Sequence, residues 1–259
     1  MRKNERNELS ENAAAPQERK KGLMRMIELL DRDSGKFFKS GVLALLGLLP
    51  FFLTVLFAVA NNAPVLLLAC IPTGMLAAPQ IAGAADTVMR SQRDEVGWWW
   101  WDTYKKVWKQ NVRETILPGA ILGPVIGVYI YLLYFITQLE NPIREFWMLF
   151  AAMLVLTGIT QYYLPMLVCV KLPGWALLRN CFVLFFCHPV KSLLAALFQL
   201  IYYGIILIWF PLTLVILVLT CVWLPMLIAY VIIYPALDKH MDLTGVYENL
   251  QQEQWGGGL

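Results

Sequence analysis

Four indole rings stand in a row at Trp98, Trp99, Trp100 and Trp101, followed by Asp102, Tyr104, Lys105, Trp108 and Lys109. On a helix, Trp100, Trp101, Tyr104, Val107, Trp108 and Asn111 share one stripe, while Lys105, Lys106, Lys109 and Arg113 lie elsewhere. An indole is apolar but carries an N–H that wants an acceptor, so it settles at the headgroup boundary of a membrane. Cations beside it attract anionic lipid. The segment therefore reads as an interfacial anchor, with a stacking platform for a sugar or other flat ligand as the alternative.

Asp86 is the only acid within a plausible span. Acids inside a membrane are functional candidates by default. Arg90 lies four residues on and pairs with it if the segment is helical; ion or proton handling is the other reading. Gly119, Gly123 and Gly127 recur every fourth residue, which makes a groove for close helix packing. Pro118 and Pro124 bend the same helix, and Pro72, Pro79, Pro165 and Pro225 interrupt others. Broken helices can also line a solute pathway, so Gly119, Gly123, Gly127, Pro72, Asp86, Asn111 and Asn180 are candidates for packing or for a pathway.

Conventional reactive motifs are absent from the sequence. Cys181-x5-Cys187-His188 has no usual zinc spacing, and the chain has only two histidines, one of them near its end. No phosphate-binding loop, dinucleotide fingerprint, zinc-protease motif or nucleophile elbow occurs. The five cysteines sit in apolar surroundings and indicate no disulfide framework. Without paired acids, a nucleophile–base pair or metal ligands in the apolar segments, the chain reads as a non-enzyme with no metal and no cofactor.

The elements that carry these residues follow from the distribution of charge. The chain is 59% apolar and 15% charged over 259 residues, against about 45–50% and about 25% for soluble domains. No charged residue occurs over 40–85 or 192–237, 46 residues each, nor over 115–139 or 146–170, 25 residues each. A span needs roughly 20 helical residues, so each long run must cross twice. Asn61-Asn62-Ala63-Pro64 supplies a turn in the first, and Phe210-Pro211 in the second. Lipid admits only helices or closed barrels, and strict apolar–polar alternation is missing. The fold expected is an all-α polytopic membrane bundle of six spans, over about 41–60, 64–86, 116–138, 146–169, 191–209 and 212–235.

Ten basic residues precede the first span, six lie in 90–115, three in 171–191 and one after 237. The remaining connections hold only Arg144. This places both termini in the cytoplasm and the basic face toward anionic lipid headgroups; nucleic acid is a poor reading. Residues 1–21 read as a disordered terminus, 22–238 as one transmembrane domain and 239–259 as a polar tail. Its Gly256-Gly257-Gly258-Leu259 end reads as a linker remnant. Ala58-Val59-Ala60 imitates a signal-peptidase site, but about 40 residues precede an apolar run of about 20, so a signal anchor is expected.

Leu23, Met26, Ile27 and Leu30 share a helical face over 22–38, which reads as a helix lying on the membrane surface. A surface helix followed by two spans recurs over 22–90, 98–170 and 172–237. A 69-residue offset aligns Asn111 with Asn180, Tyr134 with Tyr203 and Pro142 with Pro211. If the duplication is real, the repeat is parallel.

The residues also resemble a known family. Pro72-Thr73-Gly74, a span ending at Arg90, and Trp101-Asp102-x-x-Lys105-x-x-Trp108-Lys109-Gln110-Asn111 are similar to the YesL-like bacterial membrane proteins. Tyr163-Leu164-Pro165, Leu177-Leu178-Arg179-Asn180 and Ala229-Tyr230 look like that family's second half. The similarity covers about 37–237; the compact Pro-Thr-Gly, the four-Trp run and the longer N-terminus depart from it. The resemblance implies a Gram-positive plasma-membrane protein associated with carbohydrate uptake, and carries over no catalytic residue. A non-enzymatic accessory or assembly partner is therefore expected, bound to ABC transporter subunits or to copies of itself. The alternative is a small-solute transporter or channel lined by the Gly- and Pro-rich helices.

Overall fold

Helix α1 runs unbroken from Leu23 to Ala60, so the surface helix expected over 22–38 and the first span are one rod. At 38 residues it is roughly 57 Å long, well beyond a hydrocarbon core of about 30 Å. Its buried positions explain the continuity. Leu29, Asp33, Phe37, Ser40, Ala44, Phe51, Val55 and Ala58 fall at helical spacing along one seam through both halves. A helix packed along its whole length has no reason to bend where its outer face changes from charged to apolar.

The computed structural model describes residues 20, 22–95, 98–170, 172–209, 212–220 and 222–243. The disordered start expected over 1–21 (Lys20 excepted), the turn at Phe210-Pro211 and the tail beyond 243 lie outside the described residues. After α1 come a 3-10 helix over Pro64–Ala69, α2 over Cys70–Gln92 and α3 over Trp100–Phe135. A short 3-10 turn at Ile136–Gln138 leads to α4, Pro142–Thr160, and α5, Tyr163–Cys169. Then follow α6, Gly174–Cys187, α7, Pro189–Ile208, α8, Leu214–Thr220, and α9, Trp223–Met241. The second expected surface helix is likewise continuous with its span in α3. Tyr104, Val107, Thr115, Gly119, Gly123 and Gly127 form its single buried stripe.

Three helices start alike. Pro72 is third in α2, Pro165 third in α5 and Pro225 third in α9. Each proline lacks the N–H that would reach the carbonyl four residues back, and its ring crowds that carbonyl. In a first turn that N–H has no partner to lose, so these three prolines sit at helix starts. Pro50, Pro79, Pro118, Pro124 and Pro235, by contrast, lie inside continuous helices, and the interruption expected at Pro79 does not occur. The 3-10 segment precedes α2, and a turn at Gln161 and Tyr162 precedes α5. Here the Gln161 amide donates to the Ser192 carbonyl at 2.8 Å, and the Tyr162 and Ser192 hydroxyls lie 2.7 Å apart. The span expected over 146–169 is thus two helices, α4 and α5, tied to α7 at their joint. The sixth expected span is divided in the same way between α8 and α9.

All the described secondary structure is helical, with no strand among the described residues. Five segments are long and apolar enough to cross a membrane: Leu23–Ala60, Pro64–Gln92, Trp100–Phe135, Pro142–Cys169 and Pro189–Ile208. Helices α1, α2 and α3 pack as one group. The main core joins α1 and α2 to α5, α6 and α9 through Leu29, Phe37, Met89, Met166, Leu177, Leu227 and Ile233. A smaller one joins Phe51, Val55, Ala58, Leu67 and Cys70 near the Asn61–Pro64 turn. Helix α4 is different: Gly158 is its one buried residue among the described side chains, and Ile143, Trp147 and Met148 are exposed.

Candidate functional site

The polar chemistry gathers where the amphipathic start of α1 meets the end of α2. Arg25, only 7% exposed at its side chain, donates to the Gln92 carbonyl at 2.9 Å and to Asp94 at 2.7 Å. Arg32 reaches the other Asp94 oxygen at 2.5 Å and the Ser91 carbonyl at 2.7 Å. Both arginines thereby cap a helix end whose carbonyls have no partner within the helix. The turn itself is unusual, with Asp94 at φ 59°, a left-handed conformation that Asp tolerates better than most residues. Burial pushes the Asp33 carboxyl up, yet ion pairs with Lys36 at 2.9 Å and Arg32 at 2.8 Å outweigh it. They hold Asp33 below the usual carboxylate range.

Asp86 pairs with Arg90 at 2.7 Å, as its spacing predicts. Its side chain is 2% exposed, and Oδ1 is buried without a hydrogen-bond partner among the described residues. Arg90 continues to Glu95, and Glu95 to Arg93 at 2.5 Å. Two carboxylates and two guanidiniums thus alternate in a buried chain. Sequence spacing finds Asp86–Arg90, but it misses Arg25 and Arg32 meeting Asp94 from 69 and 62 residues away, and the local contacts of Asp33 and Glu95. The one available signal is the run of charge at 90–95 after an apolar helix.

The tryptophan run divides in two. Trp98 and Trp100 turn toward α1, with Lys36 Nζ 4.6 Å from the Trp98 ring centre and Lys39 Nζ 5.8 Å from that of Trp100. Trp98 donates to the Glu95 carbonyl at 3.1 Å. Trp99 is 82% exposed, and Trp101 is exposed with Lys105 Nζ 4.8 Å over its ring. Tyr104 is buried against Gly83, and its hydroxyl donates to Gln80. Trp108 is half-buried and Lys109 exposed. The stripe therefore has a packed side and an open side.

The glycine stripe is fully engaged. A Cβ on Gly119 would lie 2.5 Å from the Gly74 oxygen, and one on Gly123 3.1 Å from the Gly74 Cα. One on Gly127 would lie 2.8 Å from the Cys70 Sγ. Helix α2 thus fills the groove with Cys70, Gly74 and Ala78, whereas Pro72 is exposed and takes no part in the contact. Asn111 and Asn180 are half-buried on α3 and α6, and no hydrogen bond joins them among the described residues. The Asn111 carbonyl accepts from Thr115 at 2.9 Å.

The chain's two histidines, 52 residues apart, meet at the ends of α6 and α9 with their Nε2 atoms 3.2 Å apart. Sequence reasoning set them aside separately; their pairing is tertiary. Partial burial and the neighbouring His240, Lys191 and Lys239 hold the His188 pKa below its usual value. A base with a depressed pKa binds fewer protons in the folded state. Its contribution is therefore complete above the unfolded value of about 6.5 and lost as pH falls through the folded value. The protection factor of amides at the end of α9, taken relative to the intrinsic exchange rate at each pH, should fall between about pH 7 and pH 5.5. The fall should disappear in His188→Gln; an identical fall in that variant would detach it from the pair.

No family model, curated protein or solved structure matches the chain. The fold and the local geometry therefore carry the functional argument.

Proposed function

We propose that the chain is a non-enzymatic multi-pass protein of a bacterial plasma membrane that assembles with a carbohydrate-uptake system. In this reading α8 and α9 together make the sixth crossing, and both termini and the basic end lie in the cytoplasm. The grouping of basic residues in alternate connections supports that orientation. The shared proline position in α2, α5 and α9 supports a parallel three-unit repeat. These prolines are 93 and 60 residues apart, so the units differ in length and a constant 69-residue offset does not describe them.

One observation carries the assembly role: α4 and α5 have only 6% of their most apolar stretch buried in the protein, against 17–33% for the other four candidate spans. Helices α1 to α3 close on each other, although Leu46, Phe57, Leu117 and Ile121 on their outer faces are exposed too. Helix α4 keeps Trp147 and Met148 60% and 63% exposed, and α7 keeps Phe198 and Ile201 46% and 47% exposed. Such apolar faces fit the transmembrane helices of a partner as well as lipid. The engagement of Gly119, Gly123 and Gly127 with α2 favours packing over a pathway for that stripe. The YesL-like resemblance directs the partner class toward the membrane subunits of an ABC-type sugar transporter, and self-association would use the same faces.

A photoreactive amino acid at Trp147 or Phe198, placed in the full chain in its native membrane, tests this reading. The expected result is a covalent adduct with a sugar-transporter membrane subunit, absent when the probe is at buried Leu227. Adducts with lipid alone from both exposed positions would defeat it.

A further inference from the structure

Between the start of α1 and the tryptophan run lies a crevice of about 300 Å³, lined by Phe38, Lys39, Val42, Leu43, Trp100 and Trp101. We propose that this crevice is a selective site for one anionic phospholipid, with an acyl chain along Val42 and Leu43 and the phosphate between Lys39 and Lys105. The inference rests on the membrane reading above and deepens its lipid contact into a defined site.

The walls fit both parts of such a molecule. Aliphatic and aromatic side chains form the floor, and Trp100 and Trp101 hold their ring centres 5.7 Å apart at a 30° tilt. The rim is cationic. Lys39 is exposed and makes no ion pair among the described residues, in contrast to Lys36, which Asp33 holds at 2.9 Å. Lys105 lies over Trp101, 3.8 Å from the exposed Asp102 carboxylate. That weak pair opposes an anion only in part, because Asp102 faces solvent and is screened.

A third feature is the Trp100 indole N–H, which is buried without an acceptor. Leaving a buried donor unpaired is unfavourable. A small rotation of the indole would present this N–H to a phosphate or ester oxygen of a molecule seated in the crevice. A neutral zwitterionic lipid offers the same chains and esters, but its choline places a cation against Lys39 and Lys105. Selectivity for negative headgroups follows from that difference.

The test uses the full chain in mixed micelles containing equal phosphatidylglycerol and phosphatidylcholine, with retained lipid counted by native mass spectrometry. The wild type should retain one phosphatidylglycerol in preference. Lys39→Glu should lower the glycerol-to-choline ratio about fivefold or more. Arg144→Glu, a like charge reversal at an exposed position away from the crevice and the basic face, should leave it nearly unchanged. Trp100→Phe, which removes the N–H and keeps an aromatic ring, should shorten retention without abolishing the headgroup preference. Equal retention of the two lipids, or equal effects of Lys39→Glu and Arg144→Glu, would overturn the site. Carbonate extraction separates the two levels: a protein that stays in the membrane but shows no preference loses the site alone, and one that is extracted loses the membrane reading too.

Discussion

Arg90→Leu is expected to destabilise the protein by about 3–5 kcal/mol, the cost of leaving a buried ion without its partner. Asp86 is 2% exposed at its side chain and accepts a hydrogen bond from Arg90, while its Oδ1 has no such partner among the described residues. Arg93 is a further cation acting on it through space. Arg90 also bonds Glu95, which would keep Arg93. The loss therefore falls mainly on Asp86. Asp86→Asn added to Arg90→Leu removes the orphaned charge and should restore part of the stability. Thermal unfolding of both variants in mild detergent measures this. A single variant as stable as the wild type, or a double variant no better than the single, would show that the buried chain of charges does not hold the α1–α2 end together.

The second large effect is expected at the α2–α3 contact. Gly123→Leu places a side chain into the backbone of Cys70 and Gly74, where even a Cβ would overlap the Cys70 carbonyl. Backbone cannot step aside as a flexible side chain can, so the two helices must separate. Overpacking of this kind costs about 1–3 kcal/mol, and the upper end applies because both contacting surfaces are main chain. Gly204→Ala is the matched control: nothing lies within 4 Å of the added carbon in α7. It should be neutral or stabilise by up to about 1 kcal/mol through helix propensity. Equal unfolding temperatures for the two variants would contradict the close approach. If Gly123 instead lined a pathway, Gly123→Leu would block solute flux into liposomes while leaving stability intact.

Both effects concern contacts whose partners were only half visible in the sequence. The four-residue spacing of Gly119, Gly123 and Gly127 announces a groove, because side chains four apart share a face. It does not say which helix enters. Cys70, Gly74 and Ala78 fill it through a second small-residue surface of the same four-residue spacing, which a search for glycines alone does not single out. The Asp86–Arg90 pair was visible because it is local to one helix. Its continuation to Glu95 needs the chain to turn sharply after Gln92, and Arg25 reaches that turn from 67 residues away.

The amino-acid sequence by itself determined the all-helical character and the apolar lengths. Uncharged runs of 46 and 25 residues leave no other way to satisfy backbone polar groups in an apolar setting. It also marked three helix starts, at Pro72, Pro165 and Pro225, but it did not distinguish them from Pro79, Pro118 and Pro124, which lie inside unbroken helices. Tertiary structure decided whether an amphipathic segment ends or runs on into the next span. In α1 and α3 one buried seam continues through the change of composition, so the rod stays whole, whereas at His188-Pro189 the chain turns between α6 and α7. It also decided which distant groups meet. Lys39 beside Trp100, Arg25 beside Asp94 and His188 beside His240 are contacts between surfaces, and a surface exists only once the helices have packed.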